Sequence, residues 1–462
     1  MRVEAVPVES AFADIAENGT GGTHVKLSVI GCGYLGAVHA AAMAEVGHEV
    51  VGVDVDSHRI SELAAHRAPF YEPQLPEILA SAGTKGGLRF STDIAQVAGS
   101  RVHFLAVGTP QRANGNAADL SAVHAAVDAL IPHLQPGDLV VGKSTVPVGT
   151  AAGLAERIAE GCPGAMLAWN PEFLREGFAV EDTIHPDRIV YGLPRDAAEA
   201  IVARELLDEV YAVAIARGTP LVVTNYETAE LVKVAANAFL ATKISFINAM
   251  AEISEVVGAD VTQLADAIGY DARIGRKFLN AGVGFGGGCL PKDIRAFTAR
   301  AEELGRGESV SFLKEIDAIN LRRRQHVVDT VVDVLGGQAY QKKVAVLGLS
   351  FKPDSDDIRD SPALDVAVQL KGRGADVVAM DPKAVPNSMR KHPQLAYTED
   401  VETALGGAHA VVLVTEWAQF RDLDPVWAAQ LVKTPLVIDG RNCLDAERWR
   451  AAGWTYYGMG RP

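Results

Sequence analysis

The run His24-Val-Lys-Leu-Ser-Val-Ile30 leads without interruption into Gly31-Cys-Gly-Tyr-Leu-Gly36. An alanine-rich stretch from Ala37 to Val46 follows, then a second apolar run, His48 to Val53, that ends in Asp54. This is strand, G-x-G-x-x-G, helix, strand, acid, and it constrains the fold more than any other feature of the chain. Gly31 serves the tight turn, Gly33 lets backbone approach a pyrophosphate at the helix N-terminus, and Gly36 lets helix pack on strand; Tyr34 and Leu35 lie between them. Asp54, 23 residues after Gly31, is placed to accept from a ribose 2′-hydroxyl and to repel a 2′-phosphate. The expected cofactor is therefore NAD, with Arg59 the nearby residue that argues against it.

Further apolar runs recur at α/β spacing: Val102 to Val107, Leu139 to Val141, Met166 to Trp169 and Arg188 to Tyr191, with helical segments between the earlier ones. The ligand crevice of an open parallel sheet lies off the carboxyl ends of its strands. Three strand-end loops are thereby singled out, and with them Thr109, Thr145, Glu172 and Glu176. From Thr224 to about Val257 no Pro or Gly interrupts a helical apolar recurrence, which reads as a spine between domains and a dimer surface. On it Lys233 and Asn237, four apart, share a face that could hold an oxyanion. After Gly336-Gly337, runs at Lys343 to Leu347, Asp376 to Met380, Ala410 to Thr415 and Pro435 to Ile438 announce a second α/β layer. It lacks a dinucleotide fingerprint but carries the cations Lys352, Arg359 and Arg441 near its strand ends. The expected architecture is α/β: two doubly wound Rossmann-like domains joined by a long central helix and a helical middle domain. The boundaries are an extension at 1–24, a dinucleotide domain at 25–223, a central domain at 224–338 and a C-terminal domain at 339–462.

Between the two layers stands Gly282-Val-Gly-Phe-Gly-Gly-Gly-Cys-Leu-Pro-Lys-Asp293. Five glycines here work against both helix and strand, while allowing backbone to approach something bulky or anionic. A thiol in such a loop with Lys292 beside it is a candidate nucleophile; the alternative is a small buried hydrophobe. The four cysteines, Cys32, Cys162, Cys289 and Cys443, lie far apart with no CxxC pair, so neither a disulfide framework nor a metal site is expected, and a cytoplasmic location is. A formal net charge of −15 argues against nucleic acid as a partner, and no membrane span or signal peptide is expected.

Taken together, Gly31–Gly36, Gly142-Lys-Ser-Thr-Val-Pro-Val-Gly-Thr150, Asn170-Pro-Glu-Phe-Leu-Arg-Glu-Gly177, Glu230-Leu-Val-Lys-Val-Ala-Ala-Asn-Ala238, Asp271-Ala-Arg-Ile-Gly275, the Cys289 loop, Phe351-Lys-Pro-Asp354, Asp357-Ile-Arg359 and Asp439-Gly-Arg441 resemble, in order, the UDP-glucose/GDP-mannose dehydrogenase family. The resemblance covers roughly residues 26 to 445. It implies a four-electron oxidation of a nucleotide-sugar C6 alcohol to a carboxylate, two NAD being used in turn. Cys289 would form a thiohemiacetal and then a thioester. Lys233 and Asn237 would stabilise the C6 oxyanion, Asp293 would orient or activate water, Glu172 would act as base in hydrolysis, and Thr145 would position the water; which carboxylate takes which proton stays open. For the cofactor the resemblance adds Thr109, Thr145, Glu176, Lys292 and Arg359. For the sugar nucleotide it adds Phe173, Leu174, Arg175, Glu176, Lys233, Asn237, Phe278, Leu279, Gly286, Phe351, Lys352 and Arg441. Arg273 would reach a partner subunit's substrate, implying a homodimer or higher oligomer. Asp271-Ala-Arg-Ile-Gly275 and Asn170-Pro-Glu-Phe favour UDP-glucose over GDP-mannose, the alternative substrate. Gly288 departs from the serine usual before the cysteine, and Leu290 from the phenylalanine found in many members. Two other readings are a non-catalytic NAD-sensing scaffold and a two-electron hydroxyacid-type dehydrogenase with Cys289 a bystander.

Overall fold

A computed structural model of the chain describes residues 24–462. The extension expected at 1–24 lies, as far as Thr23, outside the described residues. The chain divides into two compact units, the first ending at Val234 and the second running from Ala235 to Pro462.

In the first unit eight strands form one sheet: β1 (Lys26–Ile30), β2 (Glu49–Val53), β3 (Leu88–Ser91), β4 (Val102–Leu105), β5 (Leu139–Gly142), β6 (Met166–Trp169), β7 (Ile189–Leu193) and β8 (Leu221–Asn225). Their order is β3-β2-β1-β4-β5-β6-β7-β8. The order reverses beside β1, which pairs in parallel with β2 on one side (Ile30 opposite Val53) and β4 on the other (Ile30 opposite Leu105). That reversal is the crevice where doubly wound sheets take ligands. One pairing departs from the expected parallel sheet: β7 meets β6 antiparallel, Trp169 opposite Gly192. Strand alternation sends Leu27, Val29, Phe104 and Val141 into a core shared with helix α1 (Tyr34–Glu45), and Ile30, Leu105, Val140 and Trp169 into the core on the other face. With both faces covered the strands read as continuous apolar runs. Each buried Val, Leu or Ile contributes roughly 1.5–3 kcal/mol.

The second unit holds a six-stranded, all-parallel sheet, β11-β10-β9-β12-β13-β14. Its strands are β9 (Lys343–Leu347), β10 (Asp376–Met380), β11 (Ala396–Thr398), β12 (Ala410–Leu413), β13 (Leu436–Asp439) and β14 (Thr455–Gly458). In the first unit helix α2 (Thr150–Gly161) follows β5, and helix α3 (Ala179–Ile184) follows the β6 loop. Helix α4 (Tyr226–Val257) has 32 residues and runs about 48 Å. It starts two residues later than its sequence suggests because β8 keeps Thr224 and Asn225, and it stops at Gly258, whose φ of 74° a β-carbon would resist. By length and composition alone α4 is long and apolar enough to cross a bilayer, but it carries Glu230, Lys233 and Asn237 buried in protein contacts. Helices α5 (Leu290–Glu303) and α6 (Phe312–Val334) complete the elements used below. The start of α5 corrects a second expectation: the glycine loop does not exclude helix through Asp293, because beyond Gly288 the glycines end and Leu290-Pro291 opens the first turn.

Candidate active site

Each fingerprint glycine has a measurable reason. A β-carbon on Gly36 would lie 1.8 Å from the Gly31 carbonyl oxygen, and one on Gly31, whose φ is 91°, would lie 2.8 Å from the Val107 side chain. Gly33 has open space around its would-be β-carbon, so the approach to the first turn of α1 is clear for a pyrophosphate. Asp54 is buried at the end of β2. It accepts from the Cys32 amide at 2.7 Å, the Asp56 amide at 2.9 Å and Arg59 Nη1 at 2.9 Å. Two carboxylate oxygens offer about four acceptor sites, so one is left for ribose. Arg59, which argued against NAD, is committed to Asp54 and Asp56. These residues fit NAD.

Beyond β4, Thr109 is buried and donates to the Thr145 carbonyl at 2.7 Å, joining two of the three strand-end loops. In the third loop, Glu172 Oε1 pairs with Lys233 Nζ at 3.0 Å while Oε2 accepts from the Leu174 amide at 2.7 Å. Phe173 lies under the Arg188 guanidinium, 3.7 Å from ring centroid to Cζ, and 5.6 Å from Lys233 Nζ. Leu174 packs on the first core, and Glu176 is buried. Arg175 does not turn inward: it is exposed and forks onto Asp182 at 2.6 and 2.9 Å. Sequence reasoning missed Glu72, which holds this loop down. Its carboxylate accepts from the Gly177 amide at 2.6 Å, the Ala179 amide at 2.7 Å and the Tyr34 hydroxyl. A single Glu between Tyr71 and Pro73 carries no local signal; only the fold brings it to α1 and α3.

In the second unit Cys289 caps the N-terminus of α5 and is exposed, whereas Cys32 and Cys162 are buried and Cys443 is half-buried. One turn along, Asp293 is buried, accepts from Asn237 Nδ2 at 2.7 Å and pairs with Lys292 at 3.0 Å. The five glycines before the cysteine make room chiefly for the protein itself. β-Carbons would fall 2.6 Å from the Gly440 carbonyl oxygen (Gly282), 2.4 Å from Asn320 Oδ1 (Gly284), 2.3 Å from the Asp360 carbonyl oxygen (Gly286), 2.8 Å from the Phe351 ring (Gly287) and 2.4 Å from the Arg359 guanidinium (Gly288). The last contact is with the movable end of an exposed arginine, so nothing in the structure explains the departure from serine at 288. Arg359 is itself forked onto Asp357, and its carbonyl accepts from the Gly287 amide at 2.9 Å. Arg441 donates to the carbonyls of Gly284 (2.8 Å), Val414 (2.9 Å) and Phe351 (3.1 Å), so it ties the loop to the second sheet. Asn320, also missed, clamps Phe285 through both amide atoms at 2.7 and 2.9 Å. Lys352 sits 5.5 Å from the Phe351 ring centroid. Leu279 is buried, Phe278 is part-exposed at a φ of 66°, and Arg273 is exposed and forked onto Asp271. Among the described residues no cluster of His, Cys, Asp and Glu could hold a metal ion.

A dinucleotide turn on a doubly wound sheet, with an exposed cysteine at a helix head in the same chain, defines a nucleotide-dependent dehydrogenase. Family models agree at every level. The NAD-binding domain of the UDP-glucose/GDP-mannose dehydrogenase family matches residues 25–215, the central domain 227–322 and the UDP-binding domain 345–446. The chain belongs to that family. It is 42% identical over 441 residues to a UDP-glucose 6-dehydrogenase of Rhizobium meliloti (strain 1021), covering 95% of this chain and 100% of the relative. It is 40% identical over 442 residues to UDP-glucose 6-dehydrogenase TuaD of Bacillus subtilis (strain 168), covering 95% and 93%. The solved UDP-glucose dehydrogenase of the archaeon Pyrobaculum islandicum superposes with a TM-score of 0.86 at 38% identity, covering 96% and 99%.

Proposed function

We propose that this chain oxidises C6 of UDP-glucose twice, from alcohol to carboxylate, with Cys289 carrying the sugar between the two oxidations. NAD, when bound, supplies the hydride acceptor. The observation that carries the reading is the exposure of Cys289 at the head of α5, one turn from the buried Asn237–Asp293 pair. A first oxidation of the primary alcohol gives an aldehyde, which cannot give up a second hydride until a nucleophile adds. Cys289 Sγ bonds to C6 and the carbonyl oxygen takes a proton, giving a thiohemiacetal. A second two-electron oxidation with loss of that proton gives a thioester, and water breaks the C–S bond to return the thiol. The balance per sugar is one water and two NAD consumed, and one carboxylate, two NADH and three protons formed.

Lys233 and Asn237, one turn apart on α4, are assigned to the C6 oxyanion. Glu172, salt-bridged to Lys233, is assigned as base for hydrolysis, with Thr145 and Asp293 holding the water; removing one oxyanion donor typically costs about 2.7–4 kcal/mol in the barrier. Arg441, Lys352, Phe173 and Phe278 are assigned to the nucleotide sugar. We further assign the enzyme to the cytoplasm, supported by four cysteines that form no disulfide among the described residues. A homodimer through α4 is supported by the exposed stripe Phe239, Phe246 and Ile253, seven residues apart.

The test is stoichiometric. Two NADH should be released per UDP-glucose with no aldehyde in solution, and Cys289→Ala should abolish carboxylate formation while NAD binding stays nearly unchanged. A ratio of one would remove the thioester route, and turnover of GDP-mannose in place of UDP-glucose would move the chain to the other branch.

A further inference from the structure

Among the buried ionisable groups outside the mechanism just given, Lys143 is the most demanding. It directly follows β5 in the core of the first unit, and burial pushes its ammonium down to about 8, with Glu172 opposing the shift and Lys233 adding to it. Among the described residues Lys143 makes no direct ion pair. Its Nζ donates to Asn170 Oδ1 at 2.9 Å and to the Tyr211 hydroxyl at 3.2 Å, with the Asn170 carbonyl at 3.5 Å. Tyr211 donates to the same Oδ1 at 2.6 Å, and Asn170 Nδ2 donates to the Val190 carbonyl at 2.9 Å. The ammonium also lies 5.8 and 5.7 Å from the Phe104 and Tyr211 ring centroids.

The position of this cluster gives it a use. Lys143 stands two residues before Thr145, and Asn170 two residues before Glu172. The Lys143–Asn170 contact is thus a bolt between the β5 and β6 loops, at the root of Thr145 and Glu172, two of the groups assigned to thioester hydrolysis. Both polar side-chain atoms of Asn170 are spent on Lys143, Tyr211 and Val190. A methionine of similar length would fill the same space without the cost of burying a charge. What it would not do is fix the distance between the loops.

We propose that Lys143 is a positioning residue for thioester hydrolysis, acting through Asn170 to hold Glu172 and Thr145 in register. The proposal rests on the assignment of Glu172 as the hydrolytic base. Misplacing a reacting group by about 1 Å can cost about a hundredfold in rate, and here the loss should fall on one step. Full-length Lys143→Met, Tyr211→Phe and Glu172→Gln are each mixed with UDP-glucose and NAD, acid-quenched, and weighed intact by mass spectrometry. Lys143→Met should accumulate the glucuronyl thioester on Cys289, with kcat and KM for UDP-glucose falling together, kcat by about a hundredfold, and kcat/KM little changed; Tyr211→Phe should show a smaller effect in the same direction. Glu172→Gln should trap the same adduct. If it does and neither Lys143→Met nor Tyr211→Phe does, the positioning role is overturned. If Glu172→Gln itself traps nothing, the assignment of the base fails instead. Should Lys143→Met not fold, Tyr211→Phe, which leaves the lysine in place, decides alone. A purely structural role would lower the melting temperature without trapping an acyl-enzyme.

Discussion

At the residue scale, Lys143 also gives a pH dependence whose sign is fixed. Its folded pKa of about 8 lies below the ordinary 10.5. Below pH 8 both folded and unfolded chains hold the proton, and the full penalty of burying the charge, about 3 kcal/mol, is present. Between pH 8 and 10.5 the folded chain releases its proton first, so this contribution to stability rises with pH. The difference in unfolding free energy between wild type and Lys143→Met, followed by urea denaturation, should move about 3 kcal/mol in favour of wild type from pH 7 to pH 10.5; a flat difference would mean the ammonium is solvated. Gly288 shows a different limit at the same scale. Its missing serine has no explanation in the structure, since the Arg359 guanidinium beside it, 71 residues along the chain, is the exposed and movable end of a side chain.

At the scale of elements, α4 anchors its neighbour by a carboxylate. Gly149 offers no side chain to cap α2, and Glu230 of α4 accepts instead from the Gly149 and Ala151 amides, both at 2.7 Å. Burial raises the pKa of Glu230 while these amides oppose the rise. Glu230→Ala should cost about 2 kcal/mol, since it orphans two helix N-terminal donors. Glu230→Gln should recover little, because it turns an N–H toward one of them. Calorimetry would decide, and an unchanged unfolding transition in Glu230→Ala would show that water caps the helix equally well. Elements also mark what sequence could read. The ten interior strands were legible as apolar runs; β3, β8, β11 and β14 were not, and each is a sheet edge. An edge strand buries less and is selected less for apolar side chains: β8 reads half-buried or exposed at all five positions. The antiparallel contact of β7 was equally invisible, because direction is a property of the connection and not of the strand.

At the scale of the whole molecule, the proposed dimer makes function depend on assembly. Phe239 is 67% exposed, Phe246 46% and Ile253 55%, an apolar stripe too large to leave in water without reason. Phe246→Glu should convert the protein from dimer to monomer in light scattering. It should also lower turnover, because Arg273 is assigned to a partner subunit's substrate. A wild type that is monomeric at assay concentration would remove both the interface and that assignment.

The sequence by itself determined the class of fold and the cofactor, and it singled out Cys289 as the candidate nucleophile. Strand, turn and helix at residues 24–54 are local, and their chemistry is written in neighbours a few positions apart. Ordered motifs were enough to identify the family. Tertiary structure alone decided how those groups are held: Glu72 on the Gly177 loop, Asn320 on Phe285, Lys143 on Asn170, Glu230 on α2. Each is a buried polar group whose partner lies 27 to 105 residues away, so neither composition nor period carries it. The glycines around Cys289 make the same point. Sequence marked them as room for a ligand, and the fold fills that room with its own Asn320, Phe351 and Arg359, because close packing against a distant segment leaves no trace beyond the absence of a side chain.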